Sequence, residues 1–323
     1  MEENFVKLIK RISEDYEDNK YMNYIKYIQF PKYKNLTDGS RIEFNFPLTM
    51  LVGKNGTGKS SVLQAIYGCP QNKSTGDYWF STDVDPIEDG KNKYFYGYQK
   101  NSETGIKEVI KKRQNSAKSP DYWETDALDV KVGMKPDYNL DKETRNNPVE
   151  KNVVYFDFRG ELSAFDKYFH FYKTKTDHKV RMFEQKNKES KEYVKKQSKL
   201  LNRALKGEKV AYFNHPENIL HDDLEVIDMK NGREKIEAIN FILGKEYIEI
   251  RRIYHRIYQS WGNSVLLQTK NGLQYSEANA GSGENAIINM VCAIMDAKRD
   301  SLILLDEPEV SLHPSAQIKL KIF

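Results

Sequence analysis

The pattern of hydrophobic and polar positions predicts most of the regular elements of this 323-residue chain. An apolar repeat of helical spacing from Phe5 to Ile12 predicts a short amphipathic helix at the N-terminus. Period-two alternation predicts strands at 24–30, which Pro31 should end, and at 41–46. Continuous apolar runs, which are expected of strands buried on both faces, occupy 48–52, 152–158 and 301–307.

The remaining patterns divide the chain into three regions. Polar sequence rich in Lys, Asn and Asp fills 69–148, where two runs around the turn KNSETG predict a β-hairpin. A charged segment at 183–206 has helical periodicity and a narrow apolar stripe, which predicts a helical arm or short coiled coil. Further patterns predict a helix at 235–243, strands at 247–254 and 265–269, and a buried helix at 284–295. We therefore divide the chain into an N-terminal lobe (1–160), a helical arm with a lid (161–245) and a C-terminal lobe (246–323).

Composition narrows the class of protein. The sequence is 39% hydrophobic and 30% charged, and it lacks the run of about 18 apolar residues that would span a bilayer. Its first residues lack the apolar core of a secretory signal. Cys69 and Cys292 are far apart and the six histidines have no metal-ligand spacing, so we expect a cytoplasmic protein without a structural metal.

Positive charge is concentrated in one segment. Residues 179–209 contain 11 Lys or Arg and 4 Asp or Glu, an excess of +7, whereas the net charge of the whole chain is +4. Sequence-neutral, salt-dependent binding of DNA through this segment is one interpretation. A solvated helix face is the other.

The stretch GKNGTGKSS at 53–61 carries the strongest chemical signal. It satisfies the phosphate-loop pattern G-x-x-x-x-G-K-[ST], with an apolar run before it and a helix pattern after it. Glycines allow consecutive backbone amides to curl around a phosphate, and the following helix directs its dipole at the anion. The predicted nucleotide-binding residues of the loop are Gly53, Asn55, Gly56, Thr57, Gly58, Lys59, Ser60 and Ser61.

Three side chains of this loop have specific expected roles. Lys59 would reach the β- and γ-phosphates, Ser60 would ligate Mg²⁺, and Ser61 would add a phosphate hydrogen bond. The helix should end at Gly68, a residue type that commonly caps helices.

Two carboxylates follow the last apolar run, in SLILLDEPEVSLHP at 301–314. Open α/β sheets place their ligands at the carboxyl ends of strands, which is where Asp306 and Glu307 would lie. Asp306 would hold Mg²⁺, and Glu307 would orient and deprotonate the water that attacks the γ-phosphate.

A second glycine cluster begins the buried helix at 284–295. Gly281, Ser282 and Gly283 would place another set of free amides at a helix N-terminus, and therefore a second anion site. One nucleotide rarely needs two such sites from one chain, so two copies arranged head-to-tail would use both. A tightly packed loop that enters a core helix is the alternative.

These three elements, in this order, resemble the head of the ATP-binding cassette ATPases. The sequence motifs VGKNGTGKSS, AGSGE and LLDEPEVSLHP are similar to those of the OLD-family ATPases and of their relatives in bacterial anti-phage systems such as Septu and PARIS. RecF and the SMC-type DNA-repair ATPases resemble the chain more distantly. The resemblance implies an α/β fold of the P-loop ABC-ATPase type, a mixed sheet flanked by helices with an inserted helical or coiled-coil arm.

The resemblance also implies cofactors, partners and residue roles. ATP and Mg²⁺ would close two heads, and hydrolysis would reopen them to control a partner effector such as a nuclease. Ser282 and Gly283 would form a signature that acts in trans, and 311–313 would lie in a dimer-contacting loop. Lys59 and Glu307 would be the catalytic residues.

The sequence departs from the family pattern in three respects. Only 16 residues follow Glu307, so no histidine that senses the γ-phosphate can be assigned and the C-terminal part of the head is expected to be missing. The glutamine that couples Mg²⁺ to the helical lobe has only Gln71 and Gln99 as candidates. OLD proteins proper carry a Toprim nuclease domain after the head; these 323 residues contain none, so a nuclease is expected to be a separate partner or to lie beyond the end of this sequence.

Two other functions stay open at this stage. An ATP-sensing scaffold without hydrolysis would agree with the short C-terminus. A transporter ATPase subunit is disfavoured, because 219 residues separate Ser61 from Gly281 and the signature reads AGSGE rather than LSGGQ.

Overall fold

The computed structural model describes residues 2–100, 105–116, 119–171, 180–211, 224–259 and 261–320. The chain forms two compact units. The first contains Met1–Tyr155 and Ala297–Asp306, and the second contains Phe156–Asp296 and Glu307–Phe323. Among the described residues, no helix combines the length and the apolar content that crossing a membrane requires.

Helices and strands alternate irregularly along the chain. The helices are α1 (Glu2–Glu17), α2 (Lys59–Tyr67), α3 (Ala164–Asp166), α4 (Val180–Leu205), α5 (Arg233–Leu243), α6 (Ser282–Met295) and α7 (Pro314–Leu320). The strands are β1 (Tyr24–Lys32), β2 (Ser40–Glu43), β3 (Lys93–Gln99), β4 (Ile106–Ser116), β5 (Ser119–Thr125), β6 (Val153–Asp157), β7 (Leu224–Asp228), β8 (Tyr247–His255), β9 (Gly262–Thr269), β10 (Gln274–Ser276) and β11 (Leu302–Asp306). Single 3₁₀ turns occupy Thr75–Asp77 and Val130–Val132, and a π-helical turn occupies Lys167–Phe171.

The first unit is built around a five-stranded antiparallel sheet with the order β2-β1-β3-β4-β5. One face packs on α2 through a cluster that includes Ile28, Tyr94, Tyr96, Trp123 and Ile66. The other face buries a smaller cluster of Tyr27, Phe95, Ile110 and Met134. Residues 69–148 are mostly polar, but they contain strands β3, β4 and β5, which supply much of this core. The predicted hairpin is confirmed as β3 and β4.

The second unit contains a four-stranded antiparallel sheet with the order β10-β9-β8-β7. On one side, α5 packs against β7, β8 and α6 and buries Ile236, Ile239 and Ile242. The C-terminal half of α4 contributes to a cluster with Ile253, Ile257 and Tyr258.

The helix predicted at 183–206 is confirmed as α4, and its apolar stripe packs within its own unit. Leu201, Ala204 and Leu205 are buried in the cluster that holds Ile253. The predicted coiled coil needs a second helix along this stripe, whereas here a strand and a short turn of the same unit cover it. The structure is thus a mixed α/β fold, and an inserted coiled-coil arm is not part of what it shows.

The strand predicted at 48–52 is wrong. No strand forms there, and Leu48, Met50 and Val52 are 65%, 66% and 82% exposed. Only Leu51 packs against the core cluster of the first unit. Pro47 has no N–H for a ladder, and the Thr49 hydroxyl donates to the carbonyl of Phe46 at 3.3 Å, so this segment turns locally instead of pairing.

The expected end of the first strand at Pro31 is also wrong. Strand β1 continues to Lys32, because the register with β3 shifts between Gln29 and Lys32. A proline is tolerated in a strand at such an irregularity, where no ladder bond needs its amide.

Candidate functional site

The phosphate loop turns sharply before helix α2. Gly56 and Gly58 have φ values of 80° and 91°, in the left-handed region that favours glycine, and Gly58 is the N-cap of α2. Residues 53–57 are exposed, whereas Gly58 to Ser61 are half-buried at the start of the helix. Exposed backbone followed by a helix N-terminus is the geometry that binds anions.

A second reason for glycine at position 58 is the close approach of the segment after β1. A Cβ atom at Gly58 would lie 2.4 Å from Cδ2 of Leu36. The neighbouring Asn35 side chain donates from Nδ2 to the carbonyl of Gly56 at 3.3 Å. Asn35 lies outside any phosphate-loop pattern, so no sequence motif predicts this contact.

The side chain of Lys59 contacts the backbone of the phosphate loop. Its Nζ donates to the carbonyls of Gly53 at 2.9 Å and of Lys54 at 3.1 Å. The Thr57 hydroxyl donates to the carbonyl of Lys54 at 2.9 Å. The ammonium group is therefore held on the inner side of the turn, where it would meet a phosphate.

Ser60 and Asp306 meet although 246 positions separate them. The Ser60 hydroxyl donates to Oδ1 of Asp306 at 3.0 Å, and the hydroxyl of Tyr155 donates to Oδ2 at 2.9 Å. Asp306 is only 3% exposed at the end of β11. Strand β6 brings Tyr155 alongside, since the Leu302 amide donates to the Asn152 carbonyl at the start of both strands.

These oxygens fit a magnesium ion. Mg²⁺ in nucleotide sites takes one or two protein oxygens and completes its coordination with phosphate oxygens and water. Ser60 supplies a hydroxyl oxygen from the phosphate loop itself. Asp306 supplies a carboxylate oxygen that lies 3.0 Å from it. Within the described part of the chain, no cluster of three or more His, Cys, Asp or Glu side chains could hold a metal without such a nucleotide.

Glu307 lies in the second unit and has an unusual backbone conformation. Its φ is 53°, a left-handed value that is rare for a residue with a side chain. Arg159, which follows β6, places its Nε 3.7 Å from Oε2 of Glu307. No sequence motif predicts Arg159 or Tyr155, although both lie at or near the end of β6, where the strand-end rule that predicts Asp306 applies equally.

The predicted signature residues begin helix α6, also in the second unit. Gly281 is the N-cap, and its amide donates to the Glu284 carboxylate at 3.4 Å. Tyr247 and Tyr275 donate their hydroxyls to the same carboxylate, and burial raises the pKa of Glu284 above its ordinary value. Ser282 is exposed and Gly283 is buried.

Gly283 packs tightly on the segment that follows β11. A Cβ atom at this position would lie 2.3 Å from the carbonyl oxygen of Ser311. Ser311 itself has a left-handed φ of 63°. The start of α6 and the predicted dimer-contacting loop at 311–313 are therefore in direct contact.

The two candidate glutamines lie elsewhere in the first unit. Gln71 lines a surface cleft with Tyr122, Glu124 and Arg145, and no residue of the phosphate loop lines this cleft. Gln99 ends β3, where it is paired with Ile106. A magnesium-coupling role for either residue stays a prediction.

Comparison with known proteins identifies one family. The model of a family described as "AAA domain, putative AbiEii toxin, Type IV TA system" matches residues 48–320, which is most of the chain. The match begins just before the phosphate loop and ends after the acidic strand. Curated proteins yield no match.

Proposed function

The chain belongs to this AAA-domain family of P-loop ATPases, and we propose that it binds ATP with Mg²⁺ and hydrolyses it. The observation that carries the proposal is the hydrogen bond of 3.0 Å between Ser60 and Asp306, beside the phosphate loop. The Ser60 hydroxyl lies at the start of the loop helix, and it donates to the carboxylate of Asp306, which is only 3% exposed at the end of β11. Together they would supply two of the oxygens that hold Mg²⁺ beside a bound triphosphate.

In this proposal each residue has one task. The amides of the loop and Lys59 hold the phosphates, and Ser60 and Asp306 hold Mg²⁺, which would neutralise charge on the transferred phosphoryl group. Glu307, the next residue in the chain, accepts a proton from the attacking water.

We further propose that two copies close head-to-tail around ATP, with Ser282 and Gly283 of one copy facing the γ-phosphate of the other. The exposure of Ser282 at the N-terminus of α6 supports this step. Control of a separate effector and a role in DNA repair or anti-phage defence stay predictions.

DNA binding through 179–209 also stays a prediction. The side chains described in this segment include exposed lysines on α4, at Lys191, Lys195, Lys196 and Lys199. A polyanion-binding surface and a solvated helix face would both show this exposure.

The decisive experiment compares nucleotide binding with phosphate release. Lys59→Ala should abolish binding of Mg·ATP, because the loop loses its only predicted phosphate-directed ammonium. Glu307→Gln should bind ATP like the wild type, release phosphate at least about 100-fold more slowly, and accumulate as an ATP-dependent dimer in sedimentation. An equally slow wild type would instead favour the ATP-sensing scaffold.

A further inference from the structure

The buried Asp306 carboxylate accepts a hydrogen bond on each of its two oxygens, and both donors lie in the first unit. The Ser60 hydroxyl donates to Oδ1 at 3.0 Å, and the Tyr155 hydroxyl donates to Oδ2 at 2.9 Å. Ser60 belongs to the phosphate-loop motif, whereas no motif accounts for a tyrosine at position 155. The second donor therefore needs an explanation that the phosphate-loop pattern does not supply.

The ring of Tyr155 lies against two other tyrosines of the same unit. Its centroid is 5.8 Å from that of Tyr67, at an interplanar angle of 63°, and 4.8 Å from that of Tyr78, at 56°. Tyr67 and Tyr78 also contact each other edge-to-face at 4.9 Å. The Tyr67 hydroxyl donates to Oδ2 of Asp77 at 3.1 Å. Ring contacts on neighbouring aromatic side chains restrict the rotation of Tyr155, so its hydroxyl has a defined position.

Helix α2 reaches the same carboxylate from both of its ends. Its first turn contains Ser60, which donates to Oδ1 of Asp306 directly. Its last residue is Tyr67, whose ring contacts that of Tyr155, the donor to Oδ2. Strand β6 carries Tyr155 and pairs with β11, which ends at Asp306. A rotation of the Asp306 side chain would therefore break a hydrogen bond at one or both of its oxygens.

We infer that Tyr155 is a positioning residue for the magnesium site, which holds Oδ2 of Asp306 so that Oδ1 stays beside the Ser60 hydroxyl and available to the cation. This inference rests on the proposed function, in which Ser60 and Asp306 hold Mg²⁺ beside ATP. Mg²⁺ demands near-ideal octahedral geometry, so a ligand that turns away weakens binding. Loss of a hydrogen-bonding partner behind a metal ligand typically costs about 10–100-fold in metal affinity.

A positioning role predicts a specific pattern of affinities. In the proposed function, the loop amides and Lys59 hold the phosphates without help from the metal. Removal of the Tyr155 hydroxyl should therefore leave the affinity for a metal-free nucleotide unchanged and should reduce only the gain in affinity that Mg²⁺ provides. A purely structural role would lower the stability of the unit and would change both affinities together, or neither.

The variant Tyr155→Phe tests this directly, because it removes the hydroxyl and keeps the ring beside Tyr67 and Tyr78. Calorimetric titration with a non-hydrolysable ATP analogue, in EDTA and in Mg²⁺, gives the factor by which the metal increases nucleotide affinity. We expect this factor to fall about tenfold in Tyr155→Phe, with the affinity in EDTA equal to that of the wild type. Tyr98→Phe is the matched control, since Tyr98 is a buried tyrosine of the same unit whose hydroxyl donates to the Asn147 carbonyl at 3.2 Å. The control should keep the wild-type factor.

Two results would overturn the inference. One is a wild-type factor in Tyr155→Phe, which would mean that Asp306 holds the metal equally well without its second donor. The other is an equal loss of affinity in EDTA and in Mg²⁺, or a loss in Tyr98→Phe as large as that in Tyr155→Phe, which would assign the hydroxyl to the stability of the unit only.

The proposed function fails in a distinguishable way. If Mg²⁺ gives the wild type no gain in affinity, or if Asp306→Asn keeps the wild-type factor, the magnesium site itself is wrong. If Asp306→Asn loses the gain while Tyr155→Phe retains it, only the inference about Tyr155 fails. In the Asp306→Asn background, Tyr155→Phe should cause no further loss, because Tyr155 acts through Asp306.

Discussion

At the scale of single residues, Glu277 is a buried carboxyl five positions before helix α6 begins at Ser282. It is 4% exposed, and it accepts hydrogen bonds from the Ser264 hydroxyl and from the Val265 amide. Ser264 in turn lies 2.8 Å from Nε2 of His255, whose Nδ1 accepts from the Ile257 amide, so the neutral Nε2–H form of His255 satisfies the whole chain of bonds. Burial raises the pKa of Glu277 to about 7 and lowers the pKa of His255 to about 4.

These shifts predict a pH dependence of stability with a definite sign. Folding raises the pKa of Glu277. Its stabilising contribution to the free energy of unfolding is therefore fully present below about pH 4.5 and is lost as the pH rises to about 7. Glu277→Gln should remove this loss, which amounts to about 3 kcal/mol over that window. His255 acts in the opposite direction, losing stability as the pH falls from about 6.5 to about 4, and it titrates in both proteins.

Urea unfolding of the wild type and of Glu277→Gln at several pH values between 5 and 8 checks this prediction. The difference between the two free energies of unfolding isolates Glu277, since His255 is common to both. The free energy of unfolding of the variant should increase relative to that of the wild type as the pH rises. Two curves that stay parallel would mean that Glu277 titrates normally.

At the scale of elements, the contact between the start of α6 and the segment after β11 depends on one glycine. Gly283→Ala would drive a Cβ atom into the Ser311 carbonyl, so we expect a loss of about 1–3 kcal/mol in the free energy of unfolding. Gly281→Ala is the matched control, because its φ of −69° suits any residue and no atom lies within 4 Å of the added Cβ. The control should stay within about 0.5 kcal/mol of wild type. Equal denaturation midpoints for the two variants would contradict the close approach.

Elements were predictable where a local pattern and its tertiary surroundings agree. Helices α2, α4, α5 and α6 and strands β8 and β11 follow their apolar periodicity closely. The segment at 48–52 does not, because Pro47 and the Thr49 hydroxyl favour a local turn over strand pairing. A continuous apolar run reports hydrophobicity alone, and only the surrounding fold decides whether it is buried.

At the scale of the whole molecule, the candidate site divides into a predictable and an unpredictable part. Ser60 and Asp306 were predictable as partners, since the phosphate loop and the acidic strand end are local patterns with known ligands. Arg159, Tyr155 and Asn35 belong to no motif, and only the fold places them beside Glu307, Asp306 and Gly56 respectively. Their contacts join residues 21 to 151 positions apart, and no pattern with a known ligand marks Arg159, Tyr155 or Asn35 in the sequence.

The central claim is that Ser60 and Asp306 form a magnesium site that exists for a nucleotide. Binding of Mn²⁺, a paramagnetic substitute for Mg²⁺, measured by electron paramagnetic resonance with and without ATP, tests it most directly. We expect the wild type to bind Mn²⁺ tightly only when ATP is present, and Asp306→Asn to weaken that binding about tenfold or more. Asp300→Asn, a substitution just before the same strand, should leave it unchanged. Binding of Mn²⁺ that is independent of ATP, or an Asp306→Asn variant that matches the wild type, would contradict the account.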